Sequence, residues 1–125
     1  MTETDLFAFY GSLRRGMENY NVYAEHLQYI RTAVVKGYAL YSLIDYPYAV
    51  KTDNPNDLLV VELFAIADLQ TKQIIHEMEL DAGYIFSTLT LTEGKIGIYT
   101  FATAGEGDAH VPGGDWVVYH RTFGF

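Results

Sequence analysis

Short runs of aromatic, β-branched and other apolar residues, each stopped by glycine or a polar turn, outnumber the stretches that read as helix, and the two kinds do not alternate. That order constrains the fold more than any other feature. Strict strand–helix alternation would give a parallel, doubly wound sheet, whereas five or six strands and two short helices out of alternation give an α+β fold. Leu6-Phe7-Ala8-Phe9-Tyr10 is a compact apolar run that stops at Gly11, as a buried first strand would. Thr32 to Leu43 reads as a strand with a bend or bulge at Gly37, and Leu58 to Ile66 as a strand without interruption. Tyr84 to Leu91 and Lys95 to Phe101 read as a hairpin around Glu93-Gly94, and Val117 to Phe125 as a last strand or tail. Because Gly37 and Gly97 interrupt strand patterns, the expected sheet is strongly bent or barrel-like and mixed, with five to seven strands and two or more short helices.

Two segments carry helix signals. Asn21 to Ile30 places Val22, Leu27 and Ile30 at loosely helical spacing. Leu69 to Glu79 follows Asp68, a good N-cap, and precedes Gly83, a good stop. Between elements, Pro47 argues for an edge or turn, and Asp53-Asn54-Pro55-Asn56-Asp57 is a surface turn. Thr103 to Asp108 is a polar loop. With no internal repeat and no linker, 1–125 reads as a single domain.

Composition removes several functions. Eight Lys and Arg stand against sixteen acids, a net charge of -8, and Arg14-Arg15 is the only adjacent basic pair. A nucleic-acid reader needs a basic face to neutralise phosphates, so neither nucleic acid nor an anionic membrane surface is the expected partner. The absence of cysteine excludes disulfides, thiolate nucleophiles and Cys-based metal centres. An acidic start and no segment near membrane-span length make the cytoplasm the expected location. Eleven tyrosines are many for this length. Tyrosine packs like an aromatic but wants a partner for its hydroxyl, so several are expected at the rim of a pocket or interface. Composition leaves the oligomeric state open.

Three places could carry chemistry. The first is the loop after the first strand. Successive backbone N–H groups in a turn can form an anion-binding concavity, and Gly11 lets a ligand approach the backbone closely. An ordinary strand-ending turn has the same residues. The second is Glu77-Met78-Glu79-Leu80-Asp81 at the end of the second helix. Carboxylates there oppose the helix dipole by about 0.3–1 kcal/mol each. A partly buried carboxylate at such a place has a raised pKa, as a general acid/base near neutral pH requires. On charge pattern alone, three solvated acids are the simpler account. The third is His76, which shares a helix face with Glu79 at i,i+3 and could pair with it by a hydrogen bond. His26, His76, His110 and His120 make no metal-ligand spacing, and Ser12 lacks the setting of a nucleophile elbow. Trp116 could wall a pocket behind Pro112-Gly113-Gly114, but packs more simply in the core. Tyr119, Phe123 and Phe125 read as an aromatic strap over that core.

Taken in order, the pieces resemble the gamma-glutamylcyclotransferase-like family. Phe9-Tyr10-Gly11-Ser12-Leu13-Arg14-Arg15-Gly16 with Asn19 is similar to its Tyr-Gly-Ser/Thr-Leu signature. Gly37-Tyr38-Ala39-Leu40 with Tyr46-Pro47-Tyr48-Ala49, and Val60-Val61-Glu62-Leu63-Phe64, resemble its second segment and its central strand. Ile75-His76-Glu77-Met78-Glu79 followed by Gly83-Tyr84 resembles the stretch that carries its acid/base glutamate. Two departures stand out: Val61 replaces a common glycine, and Ile75-His76 replace a common Leu-Asp.

The resemblance implies a reaction in which the α-amine of a gamma-glutamyl amine or peptide attacks its own γ-carbonyl and releases 5-oxoproline. Glu79 would be the acid/base, favoured over Glu77 by its distance to Gly83-Tyr84. Tyr10, Gly11, Ser12 and Leu13 would bind the substrate, and no metal or cofactor would be needed. An intramolecular nucleophile agrees with the lack of an evident protein nucleophile. A non-catalytic small-molecule binding module on the same fold, or an enzyme acting on another gamma-glutamyl conjugate, are the alternatives.

Overall fold

The computed structural model describes residues 5–123. Its eight strands form two sheets. The larger contains β1 (Leu6–Phe9), β2 (Gln28–Lys36), β5 (Leu58–Ala65), β6 (Ile85–Leu91) and β7 (Gly94–Thr100), in the order β2-β5-β1-β7-β6. β1 is antiparallel to β5 and parallel to β7, so the sheet is mixed, as expected. The smaller contains β3 (Tyr38–Ser42), β4 (Pro47–Lys51) and β8 (Ala109–His110), in the order β4-β3-β8. Helices α1 (Glu18–Tyr23), α2 (Leu69–Asp81) and α3 (Trp116–Phe123) complete the α+β architecture. The strand count is one above the expected range because β8 is a two-residue bridge inside the 103–111 segment, too short to show a strand pattern.

Period-two alternation sorts the large sheet's side chains onto two faces. Ala8, Leu59, Val61, Leu63, Ile96 and Ile98 face one cluster, shared with Leu40 and Ala49 of the small sheet and with Trp116. Phe7, Phe9, Phe64 and Tyr99 face the other, which is covered by Ile75 of α2 and by Leu27. The bend expected at Gly37 is present: Gly37 has φ 83, a left-handed conformation that glycine adopts at little cost, and it passes the chain from the large sheet to the small one. Gly97 does something else. β7 runs through it without a break, and a Cβ there would lie 2.7 Å from the Phe86 ring and 3.1 Å from Phe7. Its smallness makes room for two aromatic rings, not for a bend.

Two sequence expectations need correction. The segment 21–30 is not one helix: α1 starts at Glu18, a 3-10 turn covers Ala24–His26, and Gln28–Ile30 already belong to β2. Tyr29 and Arg31 pair with Phe64 and Leu63 across a bulge, and that pairing overrides a weak helical pattern. The segment after Asp115 is a helix rather than a strand. Trp116, 1% exposed, packs into the core and stacks on Tyr119 one turn later, which needs helical spacing. Trp116 is therefore core and not pocket wall. Of the expected aromatic strap, Tyr119 packs on the core, while the Phe123 side chain and Phe125 lie outside the described residues.

Candidate active site

The first strand ends where a turn begins. Arg14 N–H donates to Gly11 O at 3.0 Å, which folds 11–14 back on itself. Tyr20 N–H donates to Ser12 O at 3.0 Å, and Asn19 Nδ2 donates to Ser12 Oγ at 2.8 Å. The loop is thus held from α1. Among the described residues, no acceptor takes the backbone N–H groups of Gly11, Ser12 or Leu13. Below the loop lies a charged clasp. Glu62, on β5, accepts from Arg14 Nε at 2.8 Å, from Arg15 N at 2.9 Å and from Arg15 Nε at 3.0 Å. Arg14 also bonds Asp115 at 2.8 Å, and the Arg15 guanidinium lies 3.6 Å from the Tyr29 ring centre. Glu62 and Arg14 are buried. Burying a charge requires such pairing.

α2 supplies the carboxylate. Asp68 caps it, accepting from Thr71 N–H at 2.9 Å and from Thr71 Oγ at 2.6 Å. Its other end closes on Gly83, φ 99, with Gly83 N–H bonded to Leu80 O at 3.1 Å and Tyr84 N–H to Glu79 O at 3.0 Å. This pair of bonds is a Schellman motif, which needs the left-handed residue that glycine provides. It also decides the local chemistry, because it sets Tyr84 beside Glu79.

Glu79, Tyr84 and Tyr99 of β7 line one cavity of about 360 Å³ together with Tyr10, Gly11, Ser12 and Leu13. The glutamate and the loop singled out in the sequence therefore meet on the walls of a single pocket. Pro47 and Met78 add apolar lining, and Glu18, Asp45 and Tyr46 sit exposed at its rim. Among the described residues, no lysine, arginine or histidine lines it. Burial raises the Glu79 pKa from 4.5 to about 7. Burial, followed by the Glu79 charge, pushes the Tyr84 and Tyr99 phenols far up, so both keep their protons. Burial likewise raises Tyr10.

The tyrosines fix the pocket floor. Tyr10 donates to Tyr99 O at 2.6 Å and accepts from Ala49 N–H at 3.0 Å, joining the end of β1 to β7 and β4. Tyr84 donates to the Pro47 carbonyl. Four of the eleven tyrosines line this cavity, in line with the expectation from their number. His76 lies outside it. Its Nδ1 is 2.8 Å from the Tyr99 hydroxyl, so the pairing considered with Glu79 goes to Tyr99 instead. The 103–111 segment is tied down elsewhere: Tyr48 donates to Asp108 at 2.5 Å and accepts from Gly105 N–H at 2.8 Å. Among the described residues, no cluster of His, Asp and Glu is arranged to hold a metal ion, and no helix is long and apolar enough to cross a membrane.

Sequence reasoning missed Glu62 as the anchor of the loop. The signal was there: a lone acid inside an apolar strand, in a chain with one adjacent basic pair. It also missed Tyr84 and Tyr99 as neighbours of Glu79, since only the helix stop and the sheet register bring them there.

A mixed sheet in an α+β fold thus carries one pocket lined by both a helix-end carboxylate and a strand-end loop. The profile of the family described as "Gamma-glutamyl cyclotransferase, AIG2-like" matches residues 7–118, and the chain belongs to that family. Among solved structures it resembles an uncharacterised protein of Pyrococcus horikoshii, with 26% identity, TM-score 0.79 and 97% of each chain covered. The ytfP protein of Escherichia coli is 25% identical, with TM-score 0.72 over 90% of this chain and 96% of that one. A mouse AIG2-like protein is 18% identical, with TM-score 0.67 over 84% of this chain and 82% of that one, and so shares the fold. No curated protein matches it in sequence at a significant level.

Proposed function

We propose that the protein converts a gamma-glutamyl amine or peptide into 5-oxoproline and a free amine. The observation that carries this reading is that Glu79, with a pKa of about 7, lines one cavity with residues 11–13, whose N–H groups have no acceptor among the described residues. Family membership supports it.

In this reading the substrate's carboxylate and γ-carbonyl oxygen lie against the 11–13 N–H groups, which favour developing negative charge. The α-nitrogen then attacks the γ-carbon. A C–N bond closes the five-membered ring and the bond to the leaving nitrogen breaks. The α-ammonium gives up two protons in all and ends as the lactam N–H. Glu79 takes protons from the attacking nitrogen and passes them to the leaving nitrogen, which departs as an ammonium. No proton is gained or lost overall. Because the nucleophile belongs to the substrate, the pocket's main task is to hold a reactive rotamer, an effect that can reach about 10⁵ M or more in effective concentration.

The test is 5-oxoproline release from gamma-glutamyl amines, gamma-glutamyl dipeptides and larger gamma-glutamyl conjugates. Release from the amines or the dipeptides supports the reading, and release from the larger conjugates alone replaces it with a related enzyme acting on those. Tight binding of 5-oxoproline with no release from any class replaces it with a binding module.

A further inference from the structure

His76 does not line the pocket, yet it holds one of the residues that do. Its imidazole is gripped on two sides. The ring packs edge-on to Phe86 at 5.6 Å between centroids, and Nδ1 meets the Tyr99 hydroxyl at 2.8 Å. Tyr99 is held just as firmly at its backbone, where its carbonyl accepts the Tyr10 hydroxyl. The Tyr99 ring is fixed between Phe86, at 5.2 Å, and the cavity. The free variable is the direction of the phenolic proton. Glu79 lies one helical turn after His76 on α2, Glu79 and Tyr99 both line the cavity, and the Glu79 charge is felt at the Tyr99 phenol.

Resting on the cyclisation reading above, we infer that His76 is a positioning residue: its Nδ1 accepts the Tyr99 proton and so turns a Tyr99 oxygen lone pair into the cavity, where it takes an N–H of the substrate's α-amine. The phenol keeps its proton because burial and the nearby Glu79 charge both oppose its loss. A neutral imidazole nitrogen is a good acceptor for that proton, and accepting at Nδ1 requires the Nε2–H tautomer. With its proton committed to His76, the Tyr99 oxygen can only accept from the pocket side. The substrate group it fits is the nucleophilic nitrogen, which carries N–H bonds to donate while Glu79 removes one of them. His76 thereby selects the rotamer that brings this nitrogen onto the γ-carbon. The opposite tautomer would turn the phenolic proton into the cavity and offer it to Glu79 instead.

Two measurements test this. The first is the ¹⁵N NMR signature of the His76 ring in wild-type protein at pH 8, which needs no substrate. The Nε2–H tautomer is expected, and the Nδ1–H tautomer overturns the inference. The second compares kcat and KM for Tyr99→Phe, His76→Leu, His76→Asn and the Tyr99→Phe/His76→Leu pair, with folding checked by circular dichroism. Loss of one well-placed hydrogen bond corresponds to about tenfold, so Tyr99→Phe and His76→Leu are each expected to lower kcat by about that factor. KM should stay within about twofold, since the contact orients rather than binds. The double variant should be no slower than Tyr99→Phe, because both changes remove the same interaction. His76→Asn, whose amide oxygen can take the place of Nδ1, should recover most of the rate. Wild-type kcat in His76→Leu, or effects that multiply in the double variant, would contradict the inference. If wild type releases no 5-oxoproline from any gamma-glutamyl compound, the reaction reading fails on that result, and the tautomer still decides the His76–Tyr99 arrangement.

Discussion

Pro47 packs over the backbone of Gly11 so closely that a Cβ at Gly11 would lie 3.0 Å from Pro47 Cγ and 3.1 Å from Cδ. The Pro47 carbonyl is in turn held by the Tyr84 hydroxyl. Pro47, the 11–13 loop and the tyrosine beside Glu79 are therefore mechanically coupled.

Gly11→Ala must push either the loop or Pro47 aside by a few tenths of an ångström. Misplacement on that scale disturbs orientation more than it disturbs stability. The expected result is a fall in kcat/KM of about tenfold or more with a change in stability below about 1.5 kcal/mol. Steady-state kinetics and urea unfolding check the two halves. Equal activity in Gly11→Ala would detach the 11–13 loop from the reaction.

In the proposed reaction Glu79 makes activity depend on pH. Removing a proton from the attacking nitrogen requires the carboxylate form, and burial raises its pKa to about 7. The kcat/KM profile is expected to rise with pH through an inflection near 7, as a single ionisation on the acid side. An inflection near 4.5 would mean that Glu79 is solvated in the active protein.

The same group makes stability depend on pH, with the opposite sign. The folded pKa of about 7 lies above the ordinary 4.5. Between these values the unfolded chain has released the proton and the folded chain has kept it. The stabilising contribution is full below pH 4.5 and is lost as pH rises through 7. The difference is at most about 3 kcal/mol, and less to the extent that water reaches the carboxyl. Glu79→Gln removes this dependence, so its stability relative to wild type should climb from pH 4.5 to 7 and level off above. Denaturant melts of both proteins across that range measure it. Parallel curves would contradict the burial of the carboxylate.

Glu62 is the buried anchor of Arg14 and Arg15. Removing one partner of a buried ion pair leaves the other uncompensated, so Glu62→Gln is expected to destabilise the fold by about 3 kcal/mol. Urea unfolding gives the value. A loss below about 0.5 kcal/mol would place the cluster in the class of solvated surface pairs.

Much of this architecture is legible in the sequence because short-range signals dominate there. Asp68 and Gly83 mark the ends of α2 through hydrogen bonds only a few residues long. The Leu6–Tyr10 run announces β1 because both faces of that strand are buried. Glu79 and the 10–13 loop were recognisable as a pair only through the order of the family's motifs. Spacing alone left Glu79 looking like one of three solvated acids. What escaped was set by long-range pairing. β2 captures Gln28–Ile30 because β5 offers partners for them, and α3 forms because Trp116 finds a core site. Pairing also sent His76 to Tyr99 rather than to Glu79, since the register of β7 against α2 is a tertiary fact.

The central claim is that Glu79 moves the protons of an intramolecular cyclisation. The most direct test is 5-oxoproline release at pH 8 by wild type and by Glu79→Gln, both shown to be folded. The account predicts release by wild type and a loss of at least about 100-fold in Glu79→Gln, the usual scale of general acid–base catalysis. Release by Glu79→Gln within a few-fold of wild type would contradict it.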